Sequence, residues 1–247
     1  MTAVQDPGRA SKVVQAAESF LARLGEHGTA ENQLCVTLGA WERALAHWPE
    51  HPDTPMCGYL VASLCNTPVR DAVLVSLATT PEMSLAGMVG TGYLQPDTLA
   101  PAVPPNWYGG SQAAGYDIEV LDESDDAIAA AAELFGDVLL GGSAGDGRPS
   151  RAPNWTRMDL AEELLLFLTG SVDGPGKAPL LCMLGWVQWC RGRGTWAGMY
   201  FQASQEFIPG YKLANLLERL LDVGYIAAWA KDHETAWPGQ RRQGEAA

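Results

Sequence analysis

His47-Trp48-Pro49-Glu50-His51 is the place where potential metal ligands stand at a catalytic spacing, in the form H-x-x-E-H. Zinc hydrolysis by this pattern needs both imidazoles on one continuous helical turn, with the glutamate aimed at the metal-bound water. Pro49 sits inside that turn and Pro52 follows at once, so no helix can carry the two ligands through it. A helix-ending loop is expected there, and no bound metal. Gly170 to Lys177 is close to a phosphate loop, but its glycine spacing is one residue too long. Ala178 stands where a hydroxyl residue would hold magnesium. The carboxylates from Asp117 to Asp126 alternate as calcium ligands can, yet lack the glycine and terminal glutamate of an EF-hand, so a solvated helix start is expected. Asn154-Trp155-Thr156 fits a glycosylation acceptor and is expected to be inert without a secretion signal. No C-x-x-C occurs, and the histidines outside the proline-broken cluster are His27 and His233. Nucleophile–base pairs therefore have little to draw on, and no catalytic residue or cofactor is expected.

One constellation survives this filter. Trp186, Trp189 and Trp196 flank Arg191 and Arg193. Two readings compete for it: core packing, or an exposed aromatic and guanidinium edge that meets another protein.

The composition bounds the classes of function. With 247 residues, 47% of them apolar and nine tryptophans, the chain can bury a real core. No apolar run is long enough to span a membrane, and Met1 to Leu21 holds no signal-like core. Five cysteines, an odd number, suggest free thiols in a reducing compartment, so a cytoplasmic protein is expected. Cys57 and Cys65, like Cys182 and Cys190, are eight residues apart. Two helical turns, about 12 Å, separate such pairs, too far for a disulfide or one metal, and buried small hydrophobes are expected. The net charge is −13, and twelve acidic residues without a single Lys, Arg or His lie between Asp71 and Gly147. An acidic middle opposes nucleic acid and anionic membranes, which need cationic footprints.

Periodicity supplies the elements. Val13, Val14, Ala17, Phe20, Leu21 and Leu24 mark one side of a helix over Ser11–Leu24, and Leu34, Leu38, Trp41, Leu45 and Trp48 mark a second over Ala30–Trp48. Pro49, Pro52 and Pro55 end it. Met56–Leu64 and Pro68–Leu77 read as a helical pair. Glu82 to Gly115 shows no steady period and reads as a long loop or insertion. Ser124–Leu140 regains helical character, Gly141–Pro153 reads as a linker, and Met158–Leu168 is another apolar helix.

From Leu180 to Val223 the pattern is sharpest. A mostly apolar helix runs over Leu180–Arg191, stops at Gly192-Arg193-Gly194, and a second runs from Thr195 to about Phe207 before Pro209-Gly210. Leu213, Leu216, Leu217, Leu220 and Leu221 then line one side of a third. Leu184-Gly185, Gly192, Ala197, Phe201 and Pro209 fall at the offsets of a tetratricopeptide repeat, which this hairpin resembles. Gly185 and Ala197 let two backbones approach, Phe201 fills the gap, and Pro209 ends the helix. Gln188 and Ser204 depart from that pattern. Residues 150–230, with an echo at Thr67-Pro68-Val69-Arg70-Asp71-Ala72, also resemble the C-terminal part of a large actinobacterial family known as a domain of unknown function. The resemblance implies a helical second half, with an apolar helix, a Gly-rich turn, an Ala-rich helix, Pro-Gly-Tyr and a Leu-rich helix. It implies no activity.

The expected fold is all-α: a helical array with a tetratricopeptide-like C-terminal hairpin, interrupted by a long acidic loop or insertion. Residues 1–80 form an N-terminal bundle, 81–123 the insertion, 124–230 the second helical part and 231–247 a tail, or all form one continuous domain. The expected function is a non-catalytic protein–protein interaction module, whose partner is another protein, with homo-oligomers left open. One alternative is an enzyme using Tyr93, Tyr108 or neighbouring carboxylates in residues 82–115. The other is an acidic decoy occupying a nucleic-acid-binding partner.

Overall fold

The computed structural model describes residues 7–27, 30–94, 125–142 and 152–239. Among these residues the chain is all-α, without a strand. Its helices are α1 (Pro7–His27), α2 (Ala30–Ala46), α3 (Thr54–Ser63), α4 (Thr67–Ala78), α5 (Pro81–Gly90), α6 (Asp125–Leu140), α7 (Trp155–Ser171), α8 (Lys177–Cys190), α9 (Gly194–Phe207), α10 (Lys212–Asp222) and the single turn α11 (Ala228–Lys231).

Local chemistry sets the helix starts. The side chains of Asp53, Asn66, Thr80 and Asn154 accept the backbone N–H of Met56, Val69, Met83 and Arg157, capping α3, α4, α5 and α7. Pro55, Pro68 and Pro81 follow three of these caps, where a missing N–H costs nothing. Asn154, the potential glycosylation acceptor, is thus engaged as a cap, and its own N–H donates to the Ala78 carbonyl at 2.7 Å.

Part of the expected insertion is helix. α5 occupies Pro81–Gly90 inside the stretch read as a loop, and the rest of that stretch, from residue 95, lies outside the described residues. Glycine misleads here because it serves packing. A Cβ on Gly87 would sit 2.5 Å from Phe135 Cβ of α6, and one on Gly90 would strike the Ile128 carbonyl. α5 and α6 meet backbone to backbone, and bare glycine is what lets them.

One contiguous core runs from Val13 on α1 to Trp229 on α11. Trp41, Trp186, Trp189, Trp229, Tyr59 and Phe201 are its largest fully buried side chains. α8 is central, with twelve of its fourteen residues buried, and it packs between α7 and α9. The chain after α10 returns to α6: Gly141 (φ +64°) approaches Trp189 and Ala227 so closely that an added Cβ would stand 2.6 Å from the indole. Its carbonyl accepts the Ala228 N–H at 2.9 Å and the Tyr225 hydroxyl at 3.2 Å.

Among the described residues no single helix is long and apolar enough to cross a membrane. α3 and α4 pass that test only together, bent by 110°, and most of their residues are buried in the core.

Candidate interaction surface

The α8–α9 hairpin closes at Gly185. A Cβ added there would meet the Phe201 ring, with the Ala197 carbonyl oxygen 3.1 Å away. Ala197, Phe201 and Ser204 stand at i, i+4 and i+7, one face of α9, and all three are buried. The Ser204 hydroxyl donates to the Ala178 carbonyl at 2.7 Å, so a polar residue sits in this seam without an unmet hydrogen bond. Gly194 and Gly198 face Leu221 of α10 on the adjoining side.

The rest of α9 is different. Trp196, Met199, Ala203 and Phe207 recur at i, i+3, i+7 and i+11 on the outer face. Trp196 and Met199 are each 56% exposed and Phe207 is 37% exposed. Tyr200 borders this stripe, half-buried; burial, aided by the Glu162 carboxylate, raises its hydroxyl's pKa above the usual tyrosine value. Lys177 sits over the Phe207 ring at 5.7 Å.

Of the expected edge, the structure keeps two members outside and takes three inside. Trp186 and Trp189 are core residues whose indole N–H groups donate to the Leu139 carbonyl (2.8 Å) and the Tyr225 carbonyl (3.3 Å). Arg191 is the sharper correction, with a side chain only 2% exposed. Its guanidinium bridges Glu162 at 2.5 Å and Asp159 at 2.6 Å, both on α7. Such a buried charge is held because two carboxylates meet it. Gln188, which departs from the repeat pattern, donates to the same Glu162. Only Arg193 and Trp196 face outward.

Indole bonding separates these tryptophans more cleanly than burial does. Trp41, Trp48, Trp155, Trp186, Trp189, Trp229 and Trp237 each donate to a named oxygen. Trp196, by contrast, lies open to solvent on α9. Met199, Phe207, Tyr200 and Trp237 were missed by sequence reasoning; the i, i+3, i+7, i+11 period of α9 could have found the first two.

The remaining chemical candidates are absorbed by structure. His47 and His51 flank the turn after α2: His47 Nδ1 bonds the Arg43 carbonyl, and His51 stacks on Phe167 at 4.3 Å. Lys177, of the phosphate-loop likeness, pairs with Asp173 at 3.0 Å. Asp125 and Asp126 open α6, and the rest of their acidic cluster lies outside the described residues. Gly141-Gly142-Ser143-Ala144-Gly145 has the form G-x-S-x-G, an elbow that requires a strand before it. A helix precedes it here, and Ser143 lies outside the described residues. Tyr93 packs against the core; Tyr108 lies outside the described residues. Cys35, Cys57, Cys182 and Cys190 are buried, and burial raises all four thiol pKa values, Cys57 to about 11. They are inert small hydrophobes at neutral pH.

A second polar contact joins distant sequence. Arg70 on α4 donates to Asp71 and, at 3.0 Å, to the Tyr211 hydroxyl of Pro209-Gly210-Tyr211, 141 positions on. Burial opposes the Arg70 charge, while Asp71 and Tyr211 more than restore it, leaving its pKa raised.

Residues 154–226 match the model of a family described as Domain of unknown function (DUF4192). The matched segment begins at the cap of α7 and runs through α10, so it contains the hairpin, its α9 face and Tyr211. Arg70 and Trp237 lie outside it. Comparison with curated proteins and with solved structures finds no match.

Proposed function

We propose that this protein is a non-catalytic module that binds another protein through the outer face of α9. The observation that carries the reading is the exposed stripe of Trp196, Met199 and Phe207 on a helix whose other faces are filled by α8 and α10. Large apolar side chains clustered on one exposed face mark an interaction site more often than they serve a monomer. The occupant that fits a helical ridge of this spacing is a partner helix with apolar side chains at i, i+3 and i+4, seated ridge into groove. In this use the hairpin works as a tetratricopeptide-like unit, with small residues closing its inside and large ones presented outside. Cysteines that all remain free suit the reducing cytoplasm.

Photo-crosslinking tests the reading. A benzophenone side chain at position 199 is expected to capture a discrete partner in cells. The same group at Lys212, an exposed position outside the stripe, should not, and Trp196→Asp should abolish the product at 199. Equal products at 199 and 212 would defeat it.

A further inference from the structure

Trp237 stands in the irregular segment after α11, and what it touches is unusual. Its ring lies 4.6 Å from the Arg191 guanidinium carbon and 4.4 Å from that of Arg193. Its indole N–H donates to Asp159 Oδ1 at 3.2 Å. Two cations thus meet one aromatic ring, and a carboxylate meets its only donor. That set matches an indole: guanidinium groups are drawn to the electron-rich ring, and a phenyl ring would leave the carboxylate unused.

The receiving side is built independently of Trp237. Arg191 is fixed by Glu162 and Asp159, and both carboxylates project from α7, a helix anchored in the core. The buried Arg191 Nε has no hydrogen-bond partner among the described residues. The occupant is held more lightly. Trp237 remains partly exposed, between exposed Pro238 and a turn closed by the Ala236 N–H to Asp232 carbonyl bond of 2.8 Å. Trp229, eight residues earlier on α11, is by contrast fully buried and bonded to the Cys190 carbonyl. Arg193 stands at the first position before α9, three residues before Trp196, so the slot adjoins the apolar stripe.

We infer that Arg191, Arg193 and Asp159 form an indole-binding slot that Trp237 fills in cis and that a tryptophan side chain of a partner enters when Trp237 swings out. Its use by a partner rests on the interaction reading above; the slot itself does not. A chain that carries its own occupant lowers the apparent affinity for a competitor by the fraction of time the slot is free. The Trp237 segment is therefore a latch at one end of the binding face.

The test uses the full chain with Trp237→Ala and N-acetyl-L-tryptophanamide as the probe, followed by the Arg191 and Arg193 Nε–H resonances in NMR. The variant is expected to bind saturably and shift both resonances, at least tenfold more tightly than the wild type. Adding Arg193→Ala or Asp159→Ala should weaken binding at least tenfold, and N-acetyl-L-phenylalaninamide should bind less well than the indole probe. No binding by the variant, equal binding by the wild type, or binding indifferent to Arg193 and Asp159 would each overturn the slot. Should Trp237→Ala not fold, exchange of the Trp237 indole proton in the wild type decides. Exchange much faster than that of Trp229 supports the latch, and exchange only on global unfolding refutes it. Probe binding is read with no partner protein present, which separates failure of the slot from failure of the partner reading.

Discussion

The two faces of α9 are built from the same helix and meet opposite surroundings. On the inner face, Ala197, Phe201 and Ser204 have no exposed surface, and a missing side chain at Gly185 admits the Phe201 ring. On the outer face, Trp196 and Met199 are more than half exposed and Phe207 more than a third. The inner residues are small except where one ring must fill one gap; the outer ones are large and keep much of their surface in solvent. Burial decides what a substitution costs. A change on the inner face should be read in stability, and one on the outer face in binding.

The largest effect is expected at Phe201. Phe201→Ala leaves a cavity over Gly185 and should cost about 3–5 kcal/mol, seen as a shift in the urea midpoint. A smaller loss would mean that α8 and α9 collapse to fill the gap. Next comes Arg191→Met, which strands Glu162 and Asp159. Breaking a buried pair costs roughly 3–5 kcal/mol, and the half-exposed Asp159 places this variant at the low end. Ala197→Leu pushes two backbones apart and should cost about 1–3 kcal/mol, lowering Tm at roughly 2–4 °C per kcal/mol for a chain of this size. Gly90→Leu, which drives a side chain into the Ile128 carbonyl, should do the same at the α5–α6 contact. Gln202→Leu, on the exposed side of α9, should stay within about 0.5 kcal/mol of the wild type. If Gln202→Leu proved as costly as Ala197→Leu, the inner and outer registers assigned to α9 would be reversed.

The hairpin was legible because its small residues, its filling aromatic and its helix stop all fall at fixed offsets within about thirty residues, where local spacing and contact coincide. α5 was not, because Gly87 and Gly90 look like loop residues until α6, some forty positions on, is laid against them. The burial of Arg191 was hidden for a related reason. Its partners Asp159 and Glu162 stand on α7, and nothing in the local run around Arg191 announces two carboxylates 29 and 32 residues earlier. Trp186 and Trp189 read as edge candidates because aromatic type alone does not reveal whether the indole N–H finds a carbonyl. Trp237 lay in a stretch read as tail, and its two arginines identify it only in three dimensions. Arg70 and Tyr211 each sit in a segment that stood out by resemblance, and their contact across 141 positions has no signal in a single sequence.

The most direct test of the claim that the outer face of α9 is for binding is a pair of numbers on one variant, Trp196→Asp. Once a partner has been captured through position 199, its affinity for the variant is measured by calorimetry and the variant's Tm by thermal melting. Loss of a central aromatic anchor predicts binding at least tenfold weaker, about 1.4 kcal/mol or more, with stability changed by no more than about 0.5 kcal/mol. Undiminished affinity in a normally folded Trp196→Asp protein would contradict the account.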